Sequence, residues 1–89
     1  MPSPGKRARE VREALERHMP HGQWLQLSDI HKLIEANVPL YADDWRDHYR
    51  SNTWRPEPRW HGLVRRGLKR LQSTGDCEYQ RPETYRLLP

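Results

Sequence analysis

The sequence predicts a small α+β domain, mainly α, with most of its strand signal at the C-terminal end. Three observations predict it. Apolar residues recur at helical spacing in three stretches, over residues 8–19, 30–34 and 60–71. Prolines and glycines punctuate the chain between those stretches. Two short alternating runs, Cys77/Tyr79 and Tyr85/Leu87, flank the turn-like Q-R-P-E near the C-terminus.

Taken in order, residues 1–5 read as a flexible Pro/Gly/Ser leader, and 6–89 as a single domain. The first helix spans 6–19, with Ala8, Val11, Ala14 or Leu15, and His18 or Met19 as its apolar stripe. Glu13 and Arg17 sit four apart on its exposed side. Pro20, His21 and Gly22 end it. Trp24-Leu25-Gln26-Leu27 is a short extended piece. Ser28 is placed to cap a second helix from Asp29 to about Asn37, with Ile30, Leu33 and Ile34 inward. The connector over 38–58 is long for a small domain and holds Tyr41, Trp45, Tyr49 and Trp54. The four-residue recurrence of the first three predicts a short helix over 42–50, followed by irregular S-N-T-W-R-P-E-P. Pro56 and Pro58 block helix before a third helix, which carries Trp60, Val64, Leu68 and Leu71 on one face. Gly75 is a natural stop for it. Three core helices, an extra helix in the connector and a C-terminal hairpin follow the order of a winged helix-turn-helix.

Composition narrows the function. Eighty-nine residues, 34% hydrophobic, with a mean hydropathy of −1.18, provide one modest core and little apolar surface for a second task. The net charge of +4 and pI near 9.6 favour a polyanionic partner. That charge is uneven: residues 1–44 carry net −1 and residues 45–89 carry net +5. The single cysteine, Cys77, cannot form an intrachain disulfide and reads as a small core residue. No apolar run approaches the roughly 18 residues of a membrane span, and the N-terminus lacks a signal-peptide pattern. The expected location is cytoplasmic and nucleoid-associated.

The sequence offers little to chemistry. His18 and His21 straddle a helix end without a third ligand nearby, and His31, His48 and His61 are scattered. D-C-E-Y-Q at 76–80 resembles an acidic nuclease motif but has no accompanying lysine. No Ser-His-Asp set, nucleophilic cysteine pattern or phosphate-cradling glycine loop is present. The expectation is a non-enzyme without cofactor or metal.

The third helix carries the functional signal. By helical phase Gly62, Arg65, Arg66 and Lys69 lie opposite its apolar face. Arginine can bond guanine O6 and N7, and Arg or Lys can hold phosphates. The expected DNA-contacting set is Trp54, Arg55, Arg59, Trp60, His61, Gly62, Arg65, Arg66, Lys69 and Arg81. Gly62 would let the helix approach DNA closely, whereas Gly67 faces inward and suits tight helix packing. Four Trp, four Tyr and no Phe is an unusual inventory. Trp24 and Trp60 read as structural, Trp60 because its helical phase turns it inward, and Tyr85 as packing from the last strand. Trp54 is the least easily buried and could meet a base methyl group.

The run W-x-x-L-V-R-R-x-L-K-R-L-Q-S-T-G-D-C-E-Y, ending in T-Y-R-L-L, resembles the winged-helix domains appended to N6-methyladenine-dependent restriction endonucleases. The resemblance covers about residues 54–88 and rests on Arg65, Leu68, Leu71, Gly75, Tyr85 and Arg86. Arg66 and Gly67 stand where that family tends to carry glutamines, and Q-R-P-E lacks its usual turn glycine. The resemblance implies binding of double-stranded, methylated DNA in a GATC-like context and a place in restriction-modification. It implies a nuclease domain or chain in trans, and a methyl-contacting surface from Trp45, Trp54 and Trp60. The competing expectations are a methylation-insensitive winged-helix regulator and a winged helix used for protein–protein contact.

Overall fold

A computed structural model describes residues 4–49 and 56–89. These described residues form a mainly helical α+β domain with three α-helices and a three-stranded antiparallel sheet. Helix α1 spans Pro4–His18, strand β1 Leu25–Gln26 and helix α2 Leu27–Asn37. A 3₁₀ turn follows at Ala42–Trp45, then strands β2 (Asp47–Tyr49) and β3 (Pro56–Pro58). Helix α3 spans Arg59–Ser73 and leads into β4 (Cys77–Gln80) and β5 (Thr84–Leu87). This order is compatible with a winged-helix layout.

One core joins all three helices to the sheet. Val11, Leu15 and Met19 of α1 and its end meet Leu27, Ile30 and Ile34 of α2. Trp60, Val64, Leu68 and Leu71 of α3 close it, with Cys77, Tyr85 and Leu87 from the sheet. The apolar spacing of each helix explains this, since each stripe covers one face. Gly67 sets the α1–α3 distance: a methyl group there would stand 2.9 Å from Leu15 Cδ1 and 3.5 Å from Arg12 Cα. The close approach expected of this glycine is present.

The sheet order is β1-β5-β4. Leu25 faces Tyr85, and Tyr79 also faces Tyr85 across the other edge of β5. Cys77 pairs with Leu87 on the core side, whereas Glu78 pairs with Arg86 on the outer side. Gly75, at φ +83°, ends α3: its N–H bonds Gln72 O at 3.1 Å, and Asp76 N–H bonds Leu71 O at 2.8 Å. This is a Schellman stop, which satisfies two of the last helical carbonyls.

Four local expectations need correction. First, helix α1 starts at Pro4, so two residues of the expected leader are helical; residues 1–3 lie outside the described residues. Second, Glu13 and Arg17 lie on the exposed side as expected, but no ion pair joins them. Third, α2 starts at Leu27, with Gln26 as the cap residue and no side-chain cap from Ser28. The burial of Leu27 and its N–H bond to Glu83 O at 2.8 Å draw it into the helix instead.

The fourth correction is the largest. The helix expected over 42–50 is a single 3₁₀ turn followed by β2, which pairs antiparallel with β3. A recurrence of four is also twice the strand period, so the pattern did not separate the two states. Prolines at both ends of β3 are tolerated because a two-stranded ribbon has a free edge on each strand. The Arg59 N–H to Arg46 O bond, 3.0 Å, continues this ribbon into the first turn of α3. It satisfies one of the donors that a helix start leaves open.

Candidate nucleic-acid interface

The outward face of α3 is built by its own sequence. No acidic residue occurs within Arg59–Ser73, and the apolar stripe is buried, so the cations of the opposite face point outward. Arg66 and Lys69 are exposed and make no ion pair or hydrogen bond through their side chains among the described residues. Strands β4 and β5 rise beside this face. Between helix and hairpin lies an open groove of about 400 Å³, lined by Gly62, Arg65, Arg66, Lys69, Gln72, Tyr79 and Tyr85. Arg81 is exposed at the tip of the hairpin. The structure therefore brings Gly62, Arg65, Arg66 and Lys69 together and sets Arg81 on the flanking arm.

Arg65 differs from its neighbours. Its guanidinium reaches back to the β3 residue Glu57, with Nη1 donating to Oε2 at 2.6 Å and Nη2 donating to Oε1. The two side chains are 20% and 18% exposed. Arg65 lines the groove as an ion-paired side chain, not as a free cation. Glu57 was not legible as part of the site, because no helical or strand period links it to Arg65 across a strand–helix junction. A methyl group on Gly62 would touch only Arg65 Nη2, at 3.7 Å. The fold itself has room for a side chain at that position.

The aromatic set divides. Trp60 is 1% exposed, which corrects its expected part in contacting DNA or a methyl group: its phase on α3 places it inward. Trp45 is 45% exposed and stands edge-on to Trp60, with centroids 5.6 Å apart. Trp54 and Arg55 lie outside the described residues. Trp24, read as structural, is 37% exposed and lies under the Arg86 guanidinium, 4.6 Å from its ring centroid. Glu78 accepts from Arg86 Nε at 3.1 Å and also from its Nη2, which fixes that guanidinium.

His61, expected among the DNA-contacting residues, turns toward α2 instead. Its ring stacks on His31 of α2 with centroids 3.7 Å apart and meets Trp60 edge-on at 4.2 Å. Burial lowers the His31 pKa to about 4, with His61 and Arg65 adding to the effect and Glu57 opposing it. Burial also lowers His61, helped by Arg65 and opposed by Glu57 and Glu35. Both rings are therefore neutral near pH 7 and join α2 to α3 rather than offering charge to a ligand. Arg59 is exposed and paired with Asp43 at 2.9 Å.

Among the described residues no group of three or more His, Cys, Asp or Glu side chains is placed to hold a metal ion. No described helix is long and apolar enough to cross a membrane. Comparison with known protein families, curated proteins and solved structures finds no match to this chain.

Proposed function

We propose that this chain is a winged-helix module that binds duplex DNA, with α3 in the major groove and the β4–β5 hairpin as the flanking wing. One observation carries the reading. A helix without acidic residues turns unpaired Arg66 and Lys69 into an open groove beside an exposed hairpin. The major groove of B-form DNA admits an α-helix, and its phosphates reward such cations. Arg66, Lys69 and Arg81 hold phosphates in this reading, and Gly62 marks the line of closest approach.

The finer part of the proposal is a preference for N6-methyladenine in a GATC-like context. Its support is the resemblance over 54–88 and the half-exposed ring of Trp45, which packs against the first turn of α3. Burying one methyl group contributes about 0.8 kcal/mol, so two symmetric methyls give roughly tenfold discrimination. Titration of methylated and unmethylated duplexes at fixed salt tests both parts. A methyl-dependent difference that disappears in Trp45→Ala supports the whole reading. Equal affinities remove the methyl preference and leave DNA binding, and no binding at low salt removes both in favour of a protein-contact module.

A further inference from the structure

Glu57 poses a question on the surface just described. An acidic side chain beside the basic face of a DNA-binding helix weakens phosphate attraction, yet this one is locked onto Arg65 by two parallel hydrogen bonds. Such a fork-to-fork pair fixes direction as well as distance. The guanidinium cannot swing to a phosphate without breaking both bonds. It lies over Gly62, where no Cβ lifts it from the helix, and it lines the same groove as Arg66, Lys69 and Gln72. Its Nε–H and one hydrogen on each terminal nitrogen remain uncommitted to Glu57.

We infer that Glu57 is a positioning residue that holds Arg65 as a base reader, directed at O6 and N7 of a guanine, while the unpaired Arg66 and Lys69 serve phosphates. The inference rests on the DNA-binding reading above and adds a division of labour within it. A compensated, rigid guanidinium contributes little to sequence-independent attraction, because its charge is already neutralised. It contributes much to discrimination, because its donors are aimed before the DNA arrives. Flexible, unpaired cations have the opposite balance.

The test starts with selection from a random-sequence duplex library by the wild-type chain. The expected winner contains one G·C pair at a fixed position, and replacing that pair by A·T weakens binding roughly tenfold. In Glu57→Gln the ratio between the two duplexes should collapse toward one. Binding to a random duplex should strengthen, and its log–log salt slope should steepen by about 0.9, as Arg65 becomes free to take a phosphate. Arg65→Lys, which keeps the charge but loses the fork, should also lose the G·C preference. If Glu57 only pins β3 to α3, its replacement weakens both duplexes equally, and an unchanged ratio overturns the inference. Selection of a motif without a fixed G·C pair overturns it while DNA binding stands. Failure of the wild type to bind any duplex ends both readings.

Discussion

The Arg7 guanidinium grips Asp44 with two hydrogen bonds, Nε to Oδ1 at 3.2 Å and Nη2 to Oδ2 at 2.7 Å, and so ties α1 to the 3₁₀ turn of the connector. The same arginine donates to Pro39 O at 2.9 Å, and Asp44 accepts the Tyr41 N–H at 2.9 Å. Burial opposes charge on both groups. Their mutual hydrogen bonds, together with the Arg7–Glu10 and Tyr41 N–H–Asp44 bonds and the attraction between opposite charges, more than offset it, leaving Arg7 above and Asp44 below its ordinary pKa. In Asp44→Asn, Arg7 keeps Glu10 at 2.9 Å and Pro39 O but loses the carboxylate that ties it to the connector. The substitution is therefore expected to cost about 1.5–3 kcal/mol in denaturant unfolding. The sign with pH follows from the lowered carboxyl. Its contribution is present above the unfolded value of about 3.9 and is lost as pH falls through the folded one. The acid limb of the stability curve should flatten in the variant.

The stacked pair His31 and His61 gives a second pH effect of known sign. His31 has a folded pKa of about 4 and an unfolded value of about 6.5. Between those limits the unfolded chain binds more protons, so stability rises with pH across the window and falls as acid is added. Thermal midpoints should drop between about pH 7 and pH 5. His31→Phe keeps a ring in the stack and should remove most of that slope; a slope unchanged in the variant would assign it to other groups.

The two glycines of α3 are expected to respond with opposite sign. Gly62→Ala has room within the chain and should raise stability by about 0.5–1 kcal/mol, from helix propensity alone. Gly67→Ala forces Leu15 and the α1 backbone apart and should cost about 1 kcal/mol or more, despite the same propensity gain. On the proposed function Gly62→Ala also weakens duplex binding, because its methyl stands on the groove floor. Chemical denaturation and duplex titration of both variants check the pair.

Arg66→Ala and Lys69→Ala should each leave folding within about 0.5 kcal/mol of the wild type, since both side chains are exposed and unpaired. Each should flatten the log–log salt dependence of duplex binding by about 0.9 and weaken all sequences alike. A slope unaltered by either substitution would take the phosphate role away from that residue.

Much of the architecture was legible because helices announce themselves by periodicity. The inward residues Val11, Ile30, Ile34, Val64, Leu68 and Leu71 followed from spacing, as did the Gly75 stop and the C-terminal hairpin. The connector did not yield to the same reasoning. Tyr41, Trp45 and Tyr49 fit a helix by count, but β2 pairs with a proline-flanked strand from beyond residue 55, and nothing local encodes that partner.

The sequence by itself determined three helices, a terminal hairpin and a basic, acid-free third helix, because propensity, periodicity and formal charge are properties of neighbours along the chain. Tertiary structure alone decided which of those charges stays free. Glu57 arrives on Arg65 from the preceding strand, Asp44 arrives on Arg7 from 37 residues away, and Trp60 disappears beneath Trp45. Pairing and burial depend on distances through space, and those exist only once the core has brought the helices together.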